Sequence, residues 1–264
     1  MKRLLAILLC FVCIVCLTAC SEKEPQPEFH ISKRQLEHNT GDINLTVTEY
    51  DDKWQIVSAK SYLNGEISSE LEYSYNEDSS LVTVKTSSRL YGESVSEYRQ
   101  EFDGEGRLSK SSSYNEGELV GSTEYSYDAE GRETELVSRD PNGEIYSKLK
   151  YEYDKKGNLI SYTVETSGYT LKQEHSYDKD GHIISTKSYR NDILESRAEY
   201  TWEDNVRHGS SYDAKDKLIG TSHALHDDFG NVLLEDSYDK LGTQQLITRY
   251  EYIGTDGSIS SSIN

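Results

Sequence analysis

The sequence predicts an all-β chain: an antiparallel up-and-down meander of about sixteen strands, forming a twisted or spiralling sheet. Three observations predict it. An aromatic residue recurs before an acidic turn at Tyr50, Tyr75, Phe102, Tyr127, Tyr153, Tyr177 and Trp202, with His226 in the same slot and then Tyr252. The steps are 25, 27, 25, 26, 24, 25, 24 and 26 residues, so the repeat spans nearly all of the chain beyond its N-terminal stretch. The segment entering each turn alternates: Leu149, Tyr151 and Tyr153 share one face, Lys148, Lys150 and Glu152 the other. That period of two belongs to a half-buried strand. Helix signals are almost absent beyond the first residues.

The first element is a targeting segment. Lys2 and Arg3 precede an apolar run from Leu4 to Leu17, which is short for a membrane span and fits an export signal. Leu17-Thr18-Ala19-Cys20 resembles the lipobox of bacterial lipoproteins. The resemblance implies removal of residues 1–19, lipidation of Cys20, and an exported protein anchored to the bacterial cell membrane or outer membrane. Two or more acyl chains hold a protein there stably. Residues 20–41, with Pro25 and Pro27, read as a flexible tether, and 42–264 as a single β-repeat domain. Cys10, Cys13 and Cys16 fall in the removed segment, which leaves no disulfide and no redox or metal role for the Cys13–Cys16 spacing.

Each repeat of roughly 25 residues holds two hairpins, and the two turns differ in chemistry. One is Asp-x-x-Gly: Asp103 to Gly106, Asp128 to Gly131, Asp154 to Gly157, Asp178 to Gly181 and Asp227 to Gly230. The carboxylate bonds backbone N–H groups within the turn, and Gly takes the positive φ at its end. The other carries Asn-Gly, at Leu63 to Ile67 and Pro141 to Ile145, a strong hairpin signal. "NEGEL" from Asn115 and "YGES" from Tyr91 are variants. One turn type is expected on each rim of the sheet.

The segments "EFDGEGRL", "SYDAEGRE" and "EYDKKGNL", beginning at Glu101, Ser126 and Glu152, resemble the YD repeat of the RHS and teneurin-like families. The resemblance implies a β-sheet shell, which in those families sometimes surrounds a toxin.

Function is bounded mainly by exclusion. The formal charge of −19 becomes −21 once Lys2 and Arg3 are removed. Such a surface repels nucleic acid and favours cations or a basic partner. No HExxH, P-loop, GxSxG or GxGxxG motif is present, and a repeat spreads similar residues along a lattice rather than gathering unique ones. We expect neither an enzyme nor a cofactor. The densest His/Asp group is His223, His226, Asp227 and Asp228, and Asp178 to Gly181 resembles part of a calcium loop; turn and packing roles are favoured over metal at both. Tyr125, Tyr127, Tyr151, Tyr153, Tyr177 and Trp202 form a candidate binding face, weighed against a role as core. The leading expectation is a lipid-anchored, non-catalytic module that binds a surface glycan, the cell wall or a protein. The alternative is a protective protein that shields or neutralises a basic toxin at the envelope, and a surface hydrolase stands third.

Overall fold

The computed structural model describes residues 28–263, so the export segment and Cys20 lie outside the described residues. Nineteen strands and no helix are described: β1 (Phe29–His38), β2 (Ile43–Tyr50), β3 (Ile56–Leu63), β4 (Glu66–Tyr75), β5 (Leu81–Ser88), β6 (Gly92–Phe102), β7 (Leu108–Asn115), β8 (Glu118–Tyr127), β9 (Glu133–Arg139), β10 (Ile145–Tyr153), β11 (Leu159–Thr166), β12 (Thr170–Tyr177), β13 (Ile183–Arg190), β14 (Ile193–Glu203), β15 (Val206–Asp213), β16 (Leu218–His226), β17 (Val232–Asp239), β18 (Gln244–Gly254) and β19 (Ile259–Ser261). Every pairing is antiparallel and joins chain neighbours, apart from β1 with β18. That pairing closes the meander into a barrel.

Closure corrects two expectations. The sheet is neither open nor spiralling, because β1 pairs with β2 on one side and with β18 on the other. Residues 29–38 of the expected tether are that closing strand. No proline interrupts Phe29 to His38, and the strand they form pairs with the edge of β18. β18 pairs with β17 through Gln244–Arg249 and then with β19 through Glu251–Ile253, so β19 extends the wall where β17 ends.

Register shifts recur at the repeated aromatic, between Glu49/Tyr50, Glu101/Phe102, Ser126/Tyr127, Glu152/Tyr153, Ser176/Tyr177 and Leu225/His226. Each is a β-bulge near the start of the outgoing strand, which bends that strand and raises its twist, as curvature into a barrel requires. A second series falls at Ser61/Tyr62, Ser113/Tyr114, Ser188/Tyr189, Ser211/Tyr212 and Ser237/Tyr238.

The wall has two unlike faces. Burial pushes up the phenols of Tyr50, Tyr73, Tyr98 and Tyr162, and lifts Tyr75 to about 12. Val82, Val84, Ala224 and Thr248, on the same face by register, are buried. This is the lumen side. The other face carries Glu49, Glu72, Glu97, Glu124, Glu152 and Glu174, with ion pairs such as Lys60–Glu70 at 3.0 Å and Lys150–Glu165 at 2.9 Å. No large side chain among the described residues is fully buried. Eight-stranded barrels fill with side chains, whereas barrels of about 16–18 strands leave space along the axis.

Candidate functional site

One rim is built from the YD motif, and each of its residues has a task. Asp128 Oδ1 accepts the backbone N–H groups of Glu130 and Arg132 at 3.0 and 2.9 Å, while Gly131 sits at φ 81°. Arg132 Nε donates to Asp128 Oδ2 at 2.7 Å, and its guanidinium lies 4.6 Å from the centre of the Tyr153 ring, one repeat further on. The preceding unit does the same: Arg107 binds Asp103 at 2.8 Å and covers Tyr127 at 4.7 Å. Backbone N–H and guanidinium donors from Arg107 hold the Asp103 carboxyl below the usual carboxylate range. Where Arg is missing, Asn158 and Asn231 donate to Asp154 and Asp227 at 2.8 and 2.9 Å. His182 stands 3.3 Å from Asp178 and stacks on Trp202 at 4.7 Å.

The repeated aromatics then tie neighbouring strands together. Tyr127 Oη donates to the carbonyl of Leu108 at 2.8 Å, Tyr177 to Leu159 at 2.8 Å, Tyr50 to Ile31 and Tyr75 to Ile56 at 2.9 Å, and Tyr252 to Val232 at 3.1 Å. Trp202 Nε1 reaches Ile183 at 2.9 Å. The acceptor lies at or near the start of the strand paired with the one that carries the aromatic. Each such bond contributes about 1 kcal/mol net, and six of the nine aromatic slots carry one. We call this the tyrosine rim.

These contacts relocate the expected binding face. Tyr125, Tyr127, Tyr151, Tyr153, Tyr177 and Trp202 all fall on the lumen side, and the polar atoms of Tyr127, Tyr177 and Trp202 bind backbone. The expected face therefore lies along the inside of the wall. The expected turns at Asp103, Asp128, Asp154, Asp178 and Asp227 form, with Gly106, Gly131, Gly157, Gly181 and Gly230 at positive φ. Asp178 Oδ1 accepts the backbone N–H groups of Asp180 and His182 within the turn. The His/Asp group near residue 225 does not converge. His226 faces the lumen, where burial lowers its pKa, and His223 faces outward. On the lumen wall, a cavity of about 430 Å³ is lined by Gln173, His175, Thr186, Ser196, Tyr200 and Arg207. Arg207 pairs with Glu235 at 3.1 Å across the small Ala224 and covers Tyr200 at 4.9 Å.

The far rim is different. Asn64 and Gly65 both have positive φ, as Asn-Gly predicts, and Glu116-Gly117 does the same. The Pro141-Asn142-Gly143 turn is instead another Asp turn: Asp140 Oδ1 accepts from Asn142 and Glu144 at 2.9 Å. Asp239 to Gly242 matches it, so the far rim mixes turn types. Around it stands a collar of exposed apolar side chains. Leu90 is 82% exposed, Leu241 81%, Tyr91 73% and Ile193 70%, with Ile67, Val120, Ile145, Tyr146 and Ile219 beside them. Isolated exposed apolar residues are ordinary, and the tyrosine rim exposes Phe102, Phe229 and Ile259 as well, but the four most exposed apolar side chains among the described residues all stand on the far rim.

A model of the teneurin YD-shell matches residues 32–207, more than half of the chain. The chain belongs to the teneurin YD-shell family. Among solved structures, this YD-shell chain is similar to a porin-like protein from Bacteroides uniformis at 11% identity, with 84% of this chain and 97% of that one covered and a TM-score of 0.49. A porin-like protein from Bacteroides vulgatus is similar at 9% identity over 84% and 98% of the two chains, with a TM-score of 0.38. TcdB2-TccC3 without its hypervariable C-terminal region is similar at 13% identity, covering 82% of this chain and 16% of that one, with a TM-score of 0.28. No protein of curated function matches the chain.

Proposed function

We propose that this YD-shell barrel is a non-catalytic interaction module, held to a bacterial membrane by lipid on Cys20, that binds a protein partner through its far rim. The apolar collar is the observation that carries the reading. The geometry of attachment supports it. β1 begins at the tyrosine rim, where Phe29 pairs with Gly254. Only seven residues lie between Cys20 and Glu28, a reach of about 30 Å at full extension. The tyrosine rim therefore faces the membrane and the collar points away from it. A glycan reading would rest on the repeated tyrosines, which face inward, or on Tyr91 and Tyr146, which belong to the collar itself.

The shielding alternative needs acidic side chains inside the barrel to draw in a basic partner. The regular series from Glu49 to Glu174 stands outside instead.

The test is affinity capture from the envelope with the full-length chain and with a Leu90→Ser, Tyr91→Ser, Ile193→Ser, Leu241→Ser variant. We expect one dominant protein on the parent chain, absent from the variant, with unchanged thermal melting. Equal capture by both would refute the collar as the binding surface.

A further inference from the structure

On the outer wall, away from both rims, the ladder sets two histidines face to face. His208 on β15 is the direct partner of His223 on β16, and His223 is the direct partner of Asp236 on β17. The imidazole centroids are 5.1 Å apart and the rings meet edge to face, at 78°. Both side chains are nearly half exposed.

The surroundings orient one of the two. Asp236 Oδ1 lies 2.9 Å from His223 Nδ1 and also accepts the backbone N–H of His223 at 3.2 Å. A carboxylate only accepts, so Nδ1 carries the proton, and in the neutral ring Nε2 is the nitrogen with the lone pair. Tyr238 Oη donates to the other oxygen of Asp236 at 3.3 Å, which steadies the carboxylate in turn. A carboxylate that fixes the tautomer and direction of an imidazole is the usual support of a metal-binding histidine. Beside His208, Glu203 Oε2 stands 4.0 Å from Nε2 on a largely exposed and adjustable side chain.

We propose that His208 and His223 form a bis-imidazole site for a divalent transition-metal ion of the copper, nickel or zinc type, with Asp236 as the positioning residue. Imidazole nitrogen suits these ions, and the oxygen-seeking calcium and magnesium are not favoured by it. Among the described residues no three His, Cys, Asp or Glu side chains converge on one point. The site is therefore an open one, with two protein nitrogens and the remaining positions taken by water or by Glu203 after a side-chain rotation. Sequence spacing conceals it, because 15 residues separate His208 from His223 and 13 more lead to Asp236.

The experiment is calorimetric titration of the chelator-treated full-length chain, in detergent, with Cu²⁺, Ni²⁺ and Zn²⁺. We expect one ion per chain, bound most tightly as Cu²⁺. His208→Ala and His223→Ala should each weaken binding at least tenfold. Asp236→Asn should weaken it roughly 10–100-fold while both ligands remain. His175→Ala, in the lumen, should leave affinity unchanged. Copper electron paramagnetic resonance should report two coupled nitrogens in the parent and one in each ligand variant. Far-ultraviolet dichroism confirms that each variant is folded. Absence of binding at millimolar Cu²⁺, or binding unaltered in folded His208→Ala and His223→Ala, would overturn the proposal.

Discussion

At the tyrosine rim, Asp128 holds two backbone N–H groups and Arg132, Arg132 covers Tyr153, and Tyr127 is tied to Leu108. At the far rim, the turn after Ser88 leaves Leu90 and Tyr91 in solvent. The first set of side chains spends its hydrogen-bonding capacity on the barrel itself, and the second leaves its apolar surface uncovered. The contrast separates what builds the molecule from what is open to a partner. A repeated motif need not be a repeated binding site; here it ties neighbouring strands along one rim.

The comparison can be broken at several points. Trp202→Ala removes the ring that binds the Ile183 carbonyl and contacts His182 and His226, and should cost about 3 kcal/mol in denaturant unfolding. A collective effect comes next. Asp103, Asp154, Asp213 and Asp239 have lowered pKa values, led respectively by donors from the Arg107 backbone, the Asn158 side chain, and the Lys217 and Thr243 backbones. Their stabilisation is complete above the ordinary aspartate pKa of about 3.9 and is lost as pH falls through the lowered folded values. Thermal melting should therefore fall steeply below about pH 4. The buried phenols act in the opposite direction. With Tyr75 raised to about 12, stability should hold up to the ordinary tyrosine pKa and decline as pH rises toward 12.

Smaller changes sharpen the contrast. Gly157→Ala, at φ 92°, should cost about 1–2 kcal/mol through backbone strain, because a Cβ there meets only Arg132 at 3.7 Å. Tyr177→Phe removes one bond to Leu159 and should cost about 1 kcal/mol. Leu90→Ser with Leu241→Ser, on the far rim, should change stability by less than about 0.5 kcal/mol while abolishing partner capture.

Much of this was legible in the sequence. The period, the Asp turns and the alternation into each aromatic all appear as expected, because each depends on residues close together in the chain. Closure was not legible. Whether β1 meets β18 depends on twist summed over the whole wall, and Phe29–His38 carries no YD motif to mark it. The weaker alternation of outgoing strands has a local cause: bulges opposite Tyr50, Tyr127 and Tyr153 shift the side-chain face near each strand's start. The Ser-Tyr series at Tyr62, Tyr114, Tyr189, Tyr212 and Tyr238 was present in the sequence but unread, since it marks a bulge rather than a turn. The facing of the tyrosines was also hidden, because alternation shows that one face is buried but not which side of a closed wall it becomes.

The most direct test places a photo-crosslinking residue at Leu241 on the far rim and, in a second protein, at Lys179 on the tyrosine rim, in cells that carry the full-length chain. The account predicts one protein adduct from position 241 and none from position 179. An adduct from position 179 with none from 241 would contradict it, and would make the aspartate turns the binding surface.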